Sequence, residues 1–213
     1  MIMYRVIDNF LLTEDFLLFS KIADRSKSYR VGRSLQTPFN WFNYIFVSEY
    51  ADVESEINVR FNTCISSVLE KIQIQIASEV NDLPPLFSFG YMYNTYPYQV
   101  NKHFDNIYVD KKFVKQEYVT DSYSAFLYGH DYWNPEWGGF LTFYDEQGQP
   151  YSIEPKPNRL VFYSLDEMHS VTQIDKSAQD VVRKTFKSSY FRITKSRRHA
   201  RSVESQIDHR FDF

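Results

Sequence analysis

The sequence predicts an α+β domain, with helices first and a β-sandwich or barrel after them. Three observations carry this. The first half holds a stretch whose apolar residues recur in steps of three and four. From Leu86 onward the period changes to two, in short segments separated by turn residues roughly every 8–12 positions. Aromatic residues make up 18% of the chain, with 19 Phe and 17 Tyr, and aromatic side chains favour strands.

Length and composition narrow the class. A chain of 213 residues suits one well-buried domain. A formal net charge of -3 argues against nucleic acid or an anionic membrane surface as partner. The one cysteine, Cys64, allows no internal disulfide framework and fits a reducing compartment. No apolar run approaches the roughly 18 residues of a membrane-spanning helix. Met1 to Ile7 has no basic segment followed by an apolar one, so no signal peptide is evident and a cytoplasmic setting is expected. Nothing in the sequence sets an oligomeric state.

The elements follow in order. Tyr4 to Phe10 reads as a short strand ending at Asp8-Asn9. Thr13-Glu14-Asp15 gives a hydroxyl cap and two acids for a helix to about Ser26, with Phe16, Phe19, Ile22 and Ala23 on one face. Tyr29 to Pro38 is irregular, and Phe39 to Val47 is strand-like. Asp52 to Glu79 is one amphipathic helix with a stripe running from Val53 to Ile76, stopped by Pro84-Pro85. Phe87, Phe89, Tyr91 and Tyr93 alternate along a strand. Asn106 to Asp121 is mixed in charge and reads as a loop. Strands follow at Tyr123–Tyr128, Phe140–Tyr144, Tyr151–Ile153, Leu160–Tyr163, His169–Ile174 and Arg183–Ile193. Asn158 stands where a turn needs a left-handed residue.

Within this frame His103 and Asp105 stand two residues apart, so on a strand both point to one face. An imidazole and a carboxylate are two parts of the 2-His-1-carboxylate triad that holds non-heme Fe(II) with other positions open. His169, at the start of a distant strand, is the candidate second histidine. His130 sits in a Gly-His-Asp turn, and His199 and His209 lie in a polar tail.

The order His103-x-Asp105, His169 and a basic residue on the next strand resembles the Fe(II)/2-oxoglutarate-dependent dioxygenases, in their prolyl 4-hydroxylase-like branch. The resemblance covers nearly the whole chain. Val6-Ile7-Asp8-Asn9-Phe10-Leu11 is similar to that branch's entry. Trp133-Asn134-Pro135-Glu136-Trp137-Gly138-Gly139 is similar to its W-x-P-E-x-G-G turn. Leu160-Val161-Phe162 through His169-Ser170-Val171-Thr172 is similar to its strand into the distal histidine, and Tyr190-Phe191-Arg192 to its closing strand.

The resemblance implies a double-stranded β-helix, a jelly-roll or cupin-like barrel, with N-terminal helices packed on one sheet. Residues 1–194 would form one domain, with helical support over 1–85 and the jelly roll over 86–194. Residues 195–213 would be a basic extension. It also implies Fe(II) held by His103, Asp105 and His169, with 2-oxoglutarate and O2 as cosubstrates and succinate and CO2 as products. Asp105 favours hydroxylation over halogenation, because the related halogenases carry a small residue there.

The distal carboxylate of 2-oxoglutarate needs a buried cation. Family spacing, counted back from Tyr190-Phe191-Arg192, selects Lys184, with Phe186, Ser188 and Tyr190 also inward. Arg183 is the alternative and offers a bidentate fork. Tyr128 matches the tyrosine that shares this carboxylate, and Tyr93 the tyrosine on the strand ahead of the metal motif. Three departures stand out: a long gap from His169 to Lys184, Phe140 where Glu is frequent, and Asn158 where Gly is usual.

Residues after the metal motif in this family often close over the substrate. Here Tyr108, Lys112, Phe113 and Tyr118 are the candidate lid residues. The basic run Lys195 to Arg201 reads as a solvated extension. The expected activity is hydroxylation of a C–H bond in a small molecule, such as an amino acid or natural-product intermediate, since no separate peptide-binding domain is evident. A protein or peptide side chain is the second reading. A cupin-like metal enzyme without 2-oxoglutarate, or a non-catalytic binding module, is the third. The fold by itself does not choose a substrate.

Overall fold

The barrel is built by strands that switch sheets as the chain advances. The structure is a computed structural model that describes residues 4–25, 56–80, 83–105, 107–109, 112–114 and 119–193. Among these, β1 (Tyr4–Ile7), α1 (Thr13–Arg25) and α2 (Glu56–Ala77) come first. Then follow β2 (Leu86–Asn94), β3 (Val100–His103), β4 (Ile107–Val109), β5 (Lys112–Val114) and β6 (Val119–Tyr128). The chain continues through β7 (Leu141–Tyr144), β8 (Pro150–Ile153), β9 (Leu160–Ser164), β10 (His169–Val171) and β11 (Arg183–Ile193). One sheet has five strands in the order β1-β9-β6-β11-β2, the other four in the order β3-β10-β7-β8. Among the described residues the strand pairings of both sheets are antiparallel. This alternation between two facing sheets is the double-stranded β-helix, or jelly roll.

The larger sheet is buried on both faces, and side-chain alternation sorts its residues into two layers. Ala125, Leu127, Leu160, Phe162, Phe186 and Tyr190 join Phe19, Ile65, Val68, Ile72 and Ile76 of the helices in one cluster. Their neighbours in sequence, Phe126, Tyr128, Val161 and Tyr163, face the other way and meet Leu141, Phe143 and Val171 of the second sheet. A strand such as β9 therefore reads as a continuous apolar run without alternation.

The N-terminal segment is tied to the barrel by Asn158, whose φ of 57° is left-handed as the turn requires. Its Oδ1 accepts from Leu11 N at 2.9 Å and its Nδ2 donates to Leu11 O at 2.8 Å. A glycine there would supply the conformation but neither bond. Next to it, Arg159 donates to Asp8 through Nη2 at 2.8 Å.

Several expectations are revised. Residues 106–121 are not all loop: β4 and β5 form a hairpin pairing Tyr108 with Phe113 and Val109 with Lys112, and β6 begins at Val119. The helix starting at Thr13 accepts its first bond one residue earlier, from Phe16 N to Leu12 O. The expected strand at Phe39–Val47, residues 26–55 generally and the tail 194–213 lie outside the described residues.

The register of β11 is opposite to the expected one. Phe186 and Tyr190 pack in the helix-side layer, where Lys184 shares their parity, and Arg183, Thr185 and Lys187 face the barrel. The decisive contacts are cross-strand ones, Arg183 opposite Asn94 and Lys184 opposite Tyr93, which no local feature of Arg183-Lys184 encodes.

Candidate metal and cosubstrate site

His103 is the last residue of β3 and His169 the first of β10. The two are directly opposed in the antiparallel pair, so both rings leave the same face. Asp105 follows two residues after His103. One ligand atom from each of the three lies within 4.8 Å of the others. Asp105 Oδ1 is 3.7 Å from His103 Nε2 and 3.8 Å from His169 Nε2.

Backbone carbonyls fix both imidazoles. His103 Nδ1 is 2.8 Å from Asn101 O, and His169 Nδ1 is 2.9 Å from Glu167 O. A carbonyl only accepts, so each Nδ1 carries the proton and each Nε2 keeps its lone pair. Orientation of the far nitrogen is the usual way a protein readies a histidine for a metal.

Electrostatics differ within the trio. The His103 pKa is raised, chiefly by the facing Asp105 carboxylate. That of His169 is lowered, chiefly by burial. Burial opposes the charge on Asp105, but the Lys187 ammonium and the two imidazoles outweigh it and hold this carboxyl well below the usual carboxylate range.

A second polar group faces the barrel interior from the larger sheet, at the start of β11. Arg183 is fully buried at 0% exposure. Its Nη1 donates to Asn94 Oδ1 at 3.2 Å and to Thr185 Oγ1 at 3.1 Å, and its Nη2 to Tyr128 Oη at 3.3 Å. The Nε is buried without a partner. Among the described residues no carboxylate lies within 4.0 Å of this guanidinium. A buried cation held only by neutral groups is costly unless an anion joins it.

The Trp133–Gly139 turn makes room for that arginine. Gly139 has φ +70°, and a Cβ there would stand 3.2 Å from Arg183 Cδ and 3.3 Å from Trp133 Cζ2. At Gly138, φ +68°, a Cβ would collide with Gln173 O. Trp133 Nε1 donates to Gly138 O at 3.0 Å and closes the turn. Both glycines are thus required by backbone sign and by close approach.

Of the residues singled out in the sequence, the structure brings His103, Asp105 and His169 together, and Tyr128 with Arg183. Lys184 and Tyr93 fall on the helix-side face of their strands, and Tyr93 stacks on Tyr91 at 6.0 Å. The β2 residue that reaches Arg183 is Asn94, which sequence reading missed along with Thr185. Tyr163, Ser124 and Lys187, all in contact with Asp105, were missed as well. The alternation Tyr91-Met92-Tyr93-Asn94, set against a correct β11 register, was the signal for Asn94. His130 is buried and structural: its Nε2 donates to Pro155 O at 2.6 Å and its Nδ1 accepts from Lys184 N at 3.4 Å. Tyr108, Lys112 and Phe113 lie in the hairpin just after Asp105, and Tyr118 lies outside the described residues.

The family model of the 2OG-Fe(II) oxygenase superfamily matches residues 91–192, the span that holds the trio, Tyr128 and Arg183. This part of the chain is similar to that superfamily. The oxygenase fold is shared with solved structures at low identity. A prolyl-4-hydroxylase from Pseudomonas putida is 17% identical, with 91% of this chain and 94% of that one covered at a TM-score of 0.57. A prolyl hydroxylase from Trichoplax adhaerens, in complex with a hypoxia inducible factor peptide, is 15% identical, covering 88% and 83% at 0.56. HygX from Streptomyces hygroscopicus, with nickel, 2-oxoglutarate and hygromycin B bound, is 12% identical, covering 89% and 82% at 0.58. No curated protein matches the sequence. The match points to an enzyme that uses Fe(II) and 2-oxoglutarate. No helix among the described residues is long and apolar enough to cross a membrane.

Proposed function

We propose that this oxygenase hydroxylates a C–H bond of a small molecule, with iron held by His103, Asp105 and His169 and 2-oxoglutarate anchored by Arg183. The observation that carries the assignment is the presence of two sites in one barrel, one on each sheet. One is a 2-His-1-carboxylate donor set with both Nε2 lone pairs turned toward Asp105 Oδ1. The other is a buried guanidinium with an orphaned Nε and no carboxylate beside it among the described residues. These donors fit a divalent metal and the far end of a dicarboxylate.

The chemistry supplied when both are bound is oxidative decarboxylation of 2-oxoglutarate to succinate and CO2, coupled to hydroxylation of the substrate. The chain's own part is positional. Arg183 and Tyr128 hold the distal carboxylate, while Asn94 and Thr185 hold Arg183. The carbonyls of Asn101 and Glu167 keep the imidazole protons away from the metal side. The apolar barrel wall of Phe126, Phe143 and Val161 limits water around the reacting groups. Asp105 fills a coordination position with a carboxylate, which favours hydroxylation over halogenation.

A small-molecule substrate is supported by HygX, whose structure holds hygromycin B. The alternative, a protein or peptide side chain, draws its support from the prolyl hydroxylases. The hairpin after Asp105 would then cover whichever substrate binds, with Tyr108, Lys112 and Phe113 on it. The match to the oxygenase family model supports this reading over the cupin-like and non-catalytic ones.

Anaerobic addition of Fe(II) and 2-oxoglutarate tests the assignment. The visible charge-transfer band of the chelate is expected, and folded protein without it would overturn the reading. Succinate release is then measured with small molecules and with peptides. Stimulation by peptides alone would decide for the second reading.

A further inference from the structure

The two oxygens of Asp105 have different neighbours. Oδ1 faces the His103 and His169 Nε2 atoms at 3.7 and 3.8 Å. Oδ2 accepts from Ser124 Oγ at 3.2 Å, Tyr163 Oη at 3.2 Å and Lys187 Nζ at 3.3 Å. These donors come from β6, β9 and β11, consecutive strands of the larger sheet. The carboxylate thus bridges from the triad on one sheet to a three-point cradle on the other.

The hydroxyls of Ser124 and Tyr163 suffice to orient a carboxylate, because each donates to the same oxygen and both residues are buried. What Lys187 adds is charge. Its side chain is 16% exposed and its ammonium stands 5.4 Å from the Phe126 ring centroid, so solvent screens it only in part. A fixed cation on the outer oxygen of a ligating carboxylate draws electron density away from the inner one. Less donation disfavours the higher oxidation state of the metal.

We propose that Lys187 is a positioning residue that, by its charge on Oδ2 of Asp105, raises the potential of the iron that Asp105 would hold through Oδ1. This rests on the proposed metal ligands. The charge guards the resting ferrous enzyme against oxidation before substrate arrives.

The test is the Fe(III)/Fe(II) midpoint potential of iron-loaded protein without 2-oxoglutarate, in wild type, Lys187→Met and Lys187→Arg. Methionine keeps the length of the stem and removes the charge, while arginine keeps the charge. The potential is expected to fall in Lys187→Met and to stay near wild type in Lys187→Arg. The absorption band of the anaerobic 2-oxoglutarate complex should move to longer wavelength in Lys187→Met only. An unchanged potential in Lys187→Met, or an equal fall in both variants, would overturn the proposal. If Lys187→Met does not fold, Lys187→Gln is the second neutral variant, with the same expected fall. Failure of wild type to take up iron would instead overturn the ligand assignment beneath it.

Discussion

The two faces of the larger sheet are made by the same strands and do opposite work. On the helix side, Phe186 and Tyr190 of β11 join Leu127 and Phe162 in an apolar layer. Even its polar atoms are left without partners there, as at Tyr91 Oη, Ser188 Oγ and Tyr190 Oη. On the barrel side, residues one position away make a polar network: Arg183 with Asn94, Tyr128 and Thr185, and Lys187 with Asp105. One face carries burial energy and the other carries charge. The strand period of two keeps them apart, and a slip of one residue would exchange them.

Removing the candidate ligands that the barrel side of the larger sheet supports should have the largest effect. His103→Ala or Asp105→Ala should abolish the anaerobic charge-transfer band and succinate release, while circular dichroism stays that of wild type. A retained band would remove that residue from the ligand set.

Next comes the contrast between adjacent cations. Arg183→Met should raise the 2-oxoglutarate requirement by about 100-fold or more, since breaking a buried ion pair costs roughly 3–5 kcal/mol. Lys184→Met, on the other face, should leave it within a few-fold. Titration of succinate release against 2-oxoglutarate reads both, and the reverse ranking would restore the register first read from the sequence.

The helix face should respond in stability. Phe186→Ala removes a fully buried ring that meets Phe19 edge-on at 5.7 Å, and should cost about 3–5 kcal/mol in denaturant unfolding. Cosubstrate affinity of the folded fraction should be unchanged. A smaller effect is expected where the N-terminal segment meets the barrel. Asn158→Gly keeps the left-handed turn but loses both bonds to Leu11, a cost of about 1–3 kcal/mol.

The smallest effect is a pH dependence from His130, between the faces at the head of β11. Burial pushes its pKa down to about 4, below the unfolded value of 6.5. Below pH 6.5 the unfolded chain takes up a proton that the folded one refuses, so stability falls as pH drops from 6.5 toward 4. The melting temperature should decline over that window, and less so in His130→Gln. An equal decline in the variant would assign the effect to other groups.

Much of the site was legible because it is local. His103 and Asp105 are two apart and share a face by strand geometry alone. The Gly138-Gly139 pair announced a turn, and Asn158 a left-handed position. The hairpin β4–β5 was missed because the charges between Ile107 and Val114 masked short β-forming runs. Tyr93 was misplaced by the same error of parity that favoured Lys184. Ser124, Tyr163 and Lys187 gave no sign of their part, since each is an ordinary strand residue until its sheet is opposed to the other.

By itself the sequence determined the fold class and the order of the candidate ligands, because hydrophobic period, turn chemistry and short spacing act within a few residues. Tertiary structure alone decided between Arg183 and Lys184, and brought three donors onto one oxygen of Asp105. Both adjacent residues are long cations with equal claim on a strand. Only the cross-strand partners Asn94 and Tyr128, some 90 and 55 residues away, fix which one is buried.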